Sequence, residues 1–165
     1  MKKLFTCLGV VFAIIIVIII ILFAVFIPKG IEFNREAIVY LNSEVPKIVE
    51  HWNSQELLDA ATPEMKSMMN DPDEVERLFV MFRQLGALKH LDEPSGGIFM
   101  GARTPTGSAT IGNYTIPGEF VKGHGVILVQ LRRVGDSWKI DGFRINSDVF
   151  LPPKLEDARH NEQAK

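Results

Sequence analysis

Few side chains in this sequence are arranged for chemistry. The four histidines, His51, His90, His124 and His160, are widely scattered. Metal sites need ligands that converge at short, recognisable spacings. No cysteine pair, HExxH run or acidic calcium-binding loop supplies one, so neither a metal nor a cofactor is expected. No GxSxG elbow is present, and Ser95-Gly96-Gly97 is too short a glycine run to cradle a phosphate. The aromatic side chains offer more. Trp52, Phe79, Phe82, Tyr114, Phe120, Trp138 and Phe143 are candidates to line an apolar ligand cavity, or else to form the core of a helix–sheet sandwich. Met65, Met68 and Met69 cluster in one short segment. Flexible thioethers there suit either an adaptable contact surface or gap-filling.

The element that must position all of this is an apolar run from Leu4 to Ile27. It carries no charge and one strongly polar side chain, Thr6. Roughly 20 apolar residues cross a bilayer as a helix. A cleaved signal peptide has a shorter apolar region and a small-x-small exit, whereas this run leaves through Ala24-Val25-Phe26-Ile27-Pro28, with bulky Phe26. Thr6 before Cys7, with almost nothing apolar upstream, does not fit a lipoprotein signal. An uncleaved anchor is therefore expected: residues 1–3 as a short head, 4–27 as a transmembrane helix, 28–33 as a linker, 34–150 as a domain and 151–165 as a flexible polar tail. Lys2 and Lys3 nearly balance Lys29 and Arg35 across the run, but so short a head is readily retained. The expected topology is a single-pass protein with a cytoplasmic amino terminus and a periplasmic or extracytoplasmic domain.

After Lys3 the chain holds 16 basic and 20 acidic residues, a net charge of −4. A mildly acidic domain without a basic stripe is a poor match for nucleic acid. About 137 residues follow Pro28, enough for one core without disulfides. The only cysteine, Cys7, lies in the apolar run, so no intrachain disulfide can form.

Pro28-Lys29-Gly30 is expected to break the helix or mark its exit. Beyond it, Ile38, Leu41, Val45, Ile48, Val49 and Trp52 recur at helical spacing. Pro46 either falls in the first turn of a helix capped by Ser43 or kinks one long helix. Ser54 and Thr62 read as caps of short helices, with Pro63 at the favoured first position. Asp71-Pro72-Asp73-Glu74 opens a further helix whose apolar face is Val75, Leu78, Phe79, Phe82 and Leu85; Gly86 or Lys89-His90 ends it. From Gly96 the pattern becomes that of strands: Gly97–Arg103, Ser108–Ile116, Phe120–Arg133 and Ser137–Ser147. Turns are expected at Thr104–Gly107, at Ile116–Glu119 as a type II Pro-Gly turn, and at Val134–Ser137 as a two-residue hairpin with glycine first. Val126–Leu131 reads as a central strand covered on both faces, and Gly123 and Gly125 suggest a bulge or bend around His124. Helices followed by about four antiparallel strands make an α+β domain.

Within this pattern, Asn113-Tyr114, Phe120-Val121-Lys122-Gly123, Trp138-Lys139-Ile140-Asp141-Gly142-Phe143 and Ile145-Asn146-Ser147 resemble the carboxy-terminal sheet of the nuclear transport factor 2-like (cystatin-like cone) fold. The likeness is strongest over Ala109–Ser147. It implies helices packed on a curved sheet, with a conical cavity at one end. That fold usually carries a small hairpin before its third helix, where Ser54–Asn70 here reads helical. Catalytic members of the fold place an Asp, His or Tyr inside the cone as a general base. The residues to consider by that resemblance are Asp141, His124, Tyr114 and His90, none in a recognisable catalytic spacing. The expected function is thus a non-enzymatic, membrane-anchored interaction or scaffold module. Its partners would be the lipid bilayer and another membrane or envelope protein, or a second copy of itself. A small apolar-ligand binder using the cone is the alternative, and an isomerase- or cyclase-like enzyme stands behind both.

Overall fold

The computed structural model describes the backbone of residues 2–104 and 107–151, and their side chains apart from those of 2–11, 22–28 and 103–104. Two compact units are present, residues 1–36 and 37–165. Helix α1 (Lys2–His51) contributes to both. Pro28–Phe33, expected as a linker, are helical. A proline or glycine weakens a helix but does not forbid it when the turns on both sides already propagate. For the same reason α1 continues through Pro46, so Ser43 caps no new helix.

In the second unit α1 is followed by α2 (Ser54–Ala60), α3 (Pro63–Met68) and α4 (Pro72–Phe82). Five strands complete the unit: β1 (Leu88–Leu91), β2 (Ser95–Thr104), β3 (Gly107–Phe120), β4 (Gly123–Val134) and β5 (Ser137–Asn146). All are antiparallel, in the order β1-β3-β4-β5, with β2 beside β1 on the same side of β3. The unit is α+β, helices first and then a five-stranded antiparallel sheet.

The helix starts follow from side-chain caps. Thr62 accepts from the Met65 amide at 3.2 Å and Asp71 from the Asp73 amide at 2.9 Å, each ahead of a proline. The cap of α2 is Asn53 rather than Ser54. The end of α1 is less ordinary. Trp52 takes a left-handed backbone, φ 49°, and the Asn53 amide reaches back to the Ile48 carbonyl. For a bulky side chain that conformation costs about 1–2 kcal/mol. Contacts of the same residue offset it. The indole Nε1 donates to the Gly86 carbonyl at 3.0 Å, and the ring lies 5.9 Å from Phe82 and 5.4 Å from Phe120.

Two expected turns are corrected. Pro117-Gly118 lie inside β3, and the β3–β4 hairpin turns instead at Val121-Lys122. The Pro117 carbonyl accepts from the Asp92 amide, so the ring nitrogen also points to that side, into the junction where β1 ends and β2 begins and the regular ladder is already interrupted. Gly118 and Gly125 are paired, and a Cβ on either would stand 3.0–3.1 Å from the Phe120 ring. They seat that ring and make no bulge, so His124 sits in regular register opposite Glu119. The Val134–Ser137 hairpin is as expected, with Gly135 at φ 59°.

The core lies between α1–α4 and one face of the sheet. Leu41, Val45, Ile48 and Val49 of α1 are buried, as are Ile127, Val129 and Leu131 of β4. Val126, by contrast, is 37 % exposed and Leu128 is half-buried. Although β4 is central, it is covered on one face only.

Candidate functional site

The site is built where α3 meets β5. The Thr62 amide donates to the Ile140 carbonyl at 2.8 Å, and Ala61 forms a parallel bridge to Ile140. The α2–α3 connection thus lies along the outer edge of β5. Gln130 pairs with Gly142 but Leu131 pairs with Ile140, leaving Asp141 as the extra residue of a bulge. A bulge re-aims its side chain. Here the Asp141 carboxylate turns to Thr62, whose hydroxyl donates to Oδ1 at 2.8 Å, and to Arg132, whose Nη2 lies 2.7 Å from Oδ2. Arg132 Nη1 reaches Glu64 on α3 at 3.0 Å. The Asp141 and Arg132 side chains are 9 % and 14 % exposed. Both carboxylate oxygens are therefore occupied, and Asp141 is a paired, largely buried residue.

Beside this network opens an apolar cleft of about 280 Å³. Leu57 of α2, Met65 and Met68 of α3, and the adjoining Met69 form one wall. Leu78, Phe79 and Phe82 of α4 form the other, over a floor of Asp141, Gly142 and Phe143. Met68 is 73 % exposed, and Leu78 is also exposed at the mouth. Ligand sites of this kind combine apolar walls with a few polar groups.

Of the seven aromatic residues considered for a cavity, Phe79, Phe82 and Phe143 line this cleft. Trp52 and Phe120 lie deeper, in a ring cluster that continues from Phe82. Tyr114 is buried against Gly96 and Gly112, and Trp138 packs under the Arg133 guanidinium, 5.7 Å from the ring centre. The three methionines, with Leu57 and Leu78, supply most of the apolar walls.

The residues considered for acid–base work are not brought together. Burial pushes the Tyr114 phenol up to about 12, so it is protonated at neutral pH. His90 faces Asp92 at 3.3 Å on the exposed sheet surface. Register sets His90, Glu119 and His124 abreast on β1, β3 and β4. A hydrogen bond from Lys89 holds the Glu119 carboxyl below its usual value, helped by the charges of Lys89, His124 and His90. Among the described residues no group of three His, Cys, Asp or Glu is placed to hold a metal ion. His160 and the Cys7 side chain lie outside the described residues.

Compared with protein families, with characterised proteins and with solved structures, the chain matches none.

Proposed function

We propose that this chain is a single-pass, membrane-anchored interaction module of nuclear transport factor 2-like architecture. Its domain would stand on the extracytoplasmic side and dock a membrane or envelope protein, or a second copy of itself. The observation that carries the reading is the surface of the first unit. Phe12, together with every residue from Ile14 to Ile21, is between 41 % and 63 % exposed. At 100° per residue, such a stretch covers the whole helix circumference. A helix apolar on all sides requires lipid or other protein around it. The side chains of the apolar run are described only for residues 12–21, and among the described residues no helix is long and apolar enough to cross a membrane. The full run Leu4–Ile27 supplies the length. The order of elements, helices and then consecutive antiparallel hairpins, supports the fold assignment. Alkaline carbonate extraction of native membranes tests the anchor. Retention in the pellet supports it, and release into the supernatant overturns it. Protease accessibility in intact cells tests the orientation, and co-purification in mild detergent identifies the docked protein.

The cleft favours a second reading, in which the domain binds a small apolar ligand. At about 280 Å³ it admits a compact group rather than a long chain. A photo-crosslinking residue at Met68, in the mouth, separates the two. Adducts of protein mass support docking, and adducts of small-molecule mass support the ligand.

A further inference from the structure

We infer that β2 is a self-association edge, through which two copies of this chain pair antiparallel about Ile98. Among the described residues β2 pairs only with β3, and no strand covers its other side. An edge strand exposes a row of unpaired N–H and C=O groups. Proteins blunt such edges with charges, prolines or bulges. Residues 95–102, Ser-Gly-Gly-Ile-Phe-Met-Gly-Ala, contain neither a charge nor a proline. Within that stretch the device present is a bulge, where Met100 and Gly101 stand against the single residue Thr110 between the Phe99–Ile111 and Ala102–Ala109 pairs, and it leaves Ser95–Phe99 regular.

The shape of this half-strand is self-complementary. Phe99 is 59 % exposed, while a Cβ placed on Gly97 would meet nothing within 4 Å. An antiparallel pair centred on Ile98 sets Phe99 of each copy opposite Gly97 of the other, large side chain over open backbone, twice by symmetry. A two-fold interface requires such self-matching. The pairing uses neither the methionine-lined cleft nor the apolar run, and it stands whether or not those readings hold.

The test uses the full chain in detergent, with Cys7→Ser and a single cysteine introduced as Ile98→Cys or, for comparison, Gly135→Cys at the β4–β5 turn. Mild oxidation is expected to give covalent dimer from the Ile98→Cys chain about tenfold above the Gly135→Cys chain. Without introduced cysteines, Phe99→Lys and Gly97→Val are each expected to weaken self-association by about tenfold in light scattering. Gly97→Val faces open space in the single chain and so leaves its fold intact. Equal cross-linking from positions 98 and 135, a monomeric parent chain, or a dimer that survives both substitutions would overturn the proposal.

Discussion

The hydroxyl of Thr62 donates to the Asp141 carboxylate at 2.8 Å while accepting the Met65 amide. One fully buried hydroxyl thereby starts α3 and fixes it to the bulge of β5. Thr62→Val is expected to lower stability by about 1–2 kcal/mol, through loss of a cap and a buried hydrogen bond. Chemical denaturation of the full chain in detergent, followed by circular dichroism, measures it.

Asp141→Ala removes the carboxylate that faces Arg132. Among the described residues the guanidinium then keeps Glu64, which is 43 % exposed. A loss of about 2–4 kcal/mol is expected, below the cost of a wholly unpaired buried charge. In a double-mutant cycle, Thr62→Val and Asp141→Ala together should cost less than the sum of the two alone. Strict additivity would contradict the shared network.

Trp52→Phe keeps an aromatic ring, though a smaller one, and deletes the indole N–H, leaving the Gly86 carbonyl without that donor. The expected loss is about 1–2 kcal/mol. A Trp52→Phe chain as stable as the parent would show that ring packing alone holds the end of α1.

Burial raises the phenols of Tyr40 and Tyr114 to about 12, with the charge of Glu44 adding at Tyr40. In the unfolded chain they titrate near 10. Between those values the folded state holds more protons, so stability is full below about pH 10 and falls as pH rises toward 12. Denaturation midpoints across pH 9–12 should decline, and Tyr114→Phe should flatten the decline. A Tyr114→Phe chain with the parent's full alkaline loss would place the cause elsewhere.

Ile18→Lys puts a charge at the centre of the apolar run. If that run lies in lipid, insertion is disfavoured by about 2.5–3.5 kcal/mol. The fraction of the chain released by carbonate should then rise. An unchanged pellet fraction would count against a lipid surrounding.

Much of the helical half was legible because its signals are local. Thr62-Pro63 and Asp71-Pro72 carry their caps within four residues, and the stripe from Leu41 to Val49 buries as its spacing implies. The β4–β5 hairpin was legible from Gly135-Asp136 for the same reason. Pro117-Gly118 misled because a turn signal was overridden by a tertiary circumstance, the gap between two strands that share one side of β3. The four residues of β1 carry too short a pattern to be seen. Trp52 held in a left-handed backbone depends on Gly86 and Phe120, which are distant in sequence. The site is partly legible: Phe79, Phe82 and Phe143 belong to the aromatic set of the sequence, and Met65, Met68 and Met69 cluster in one segment. Their meeting with Leu57 and Leu78 follows from packing α2, α3 and α4 over β5, which no single segment encodes.

The strip of backbone at Ala61 and Thr62 closes the β5 side of the sheet at Ile140. Copies joined through β2 have their matching surfaces spent on each other. Such an assembly stops at a pair and does not propagate into a fibre.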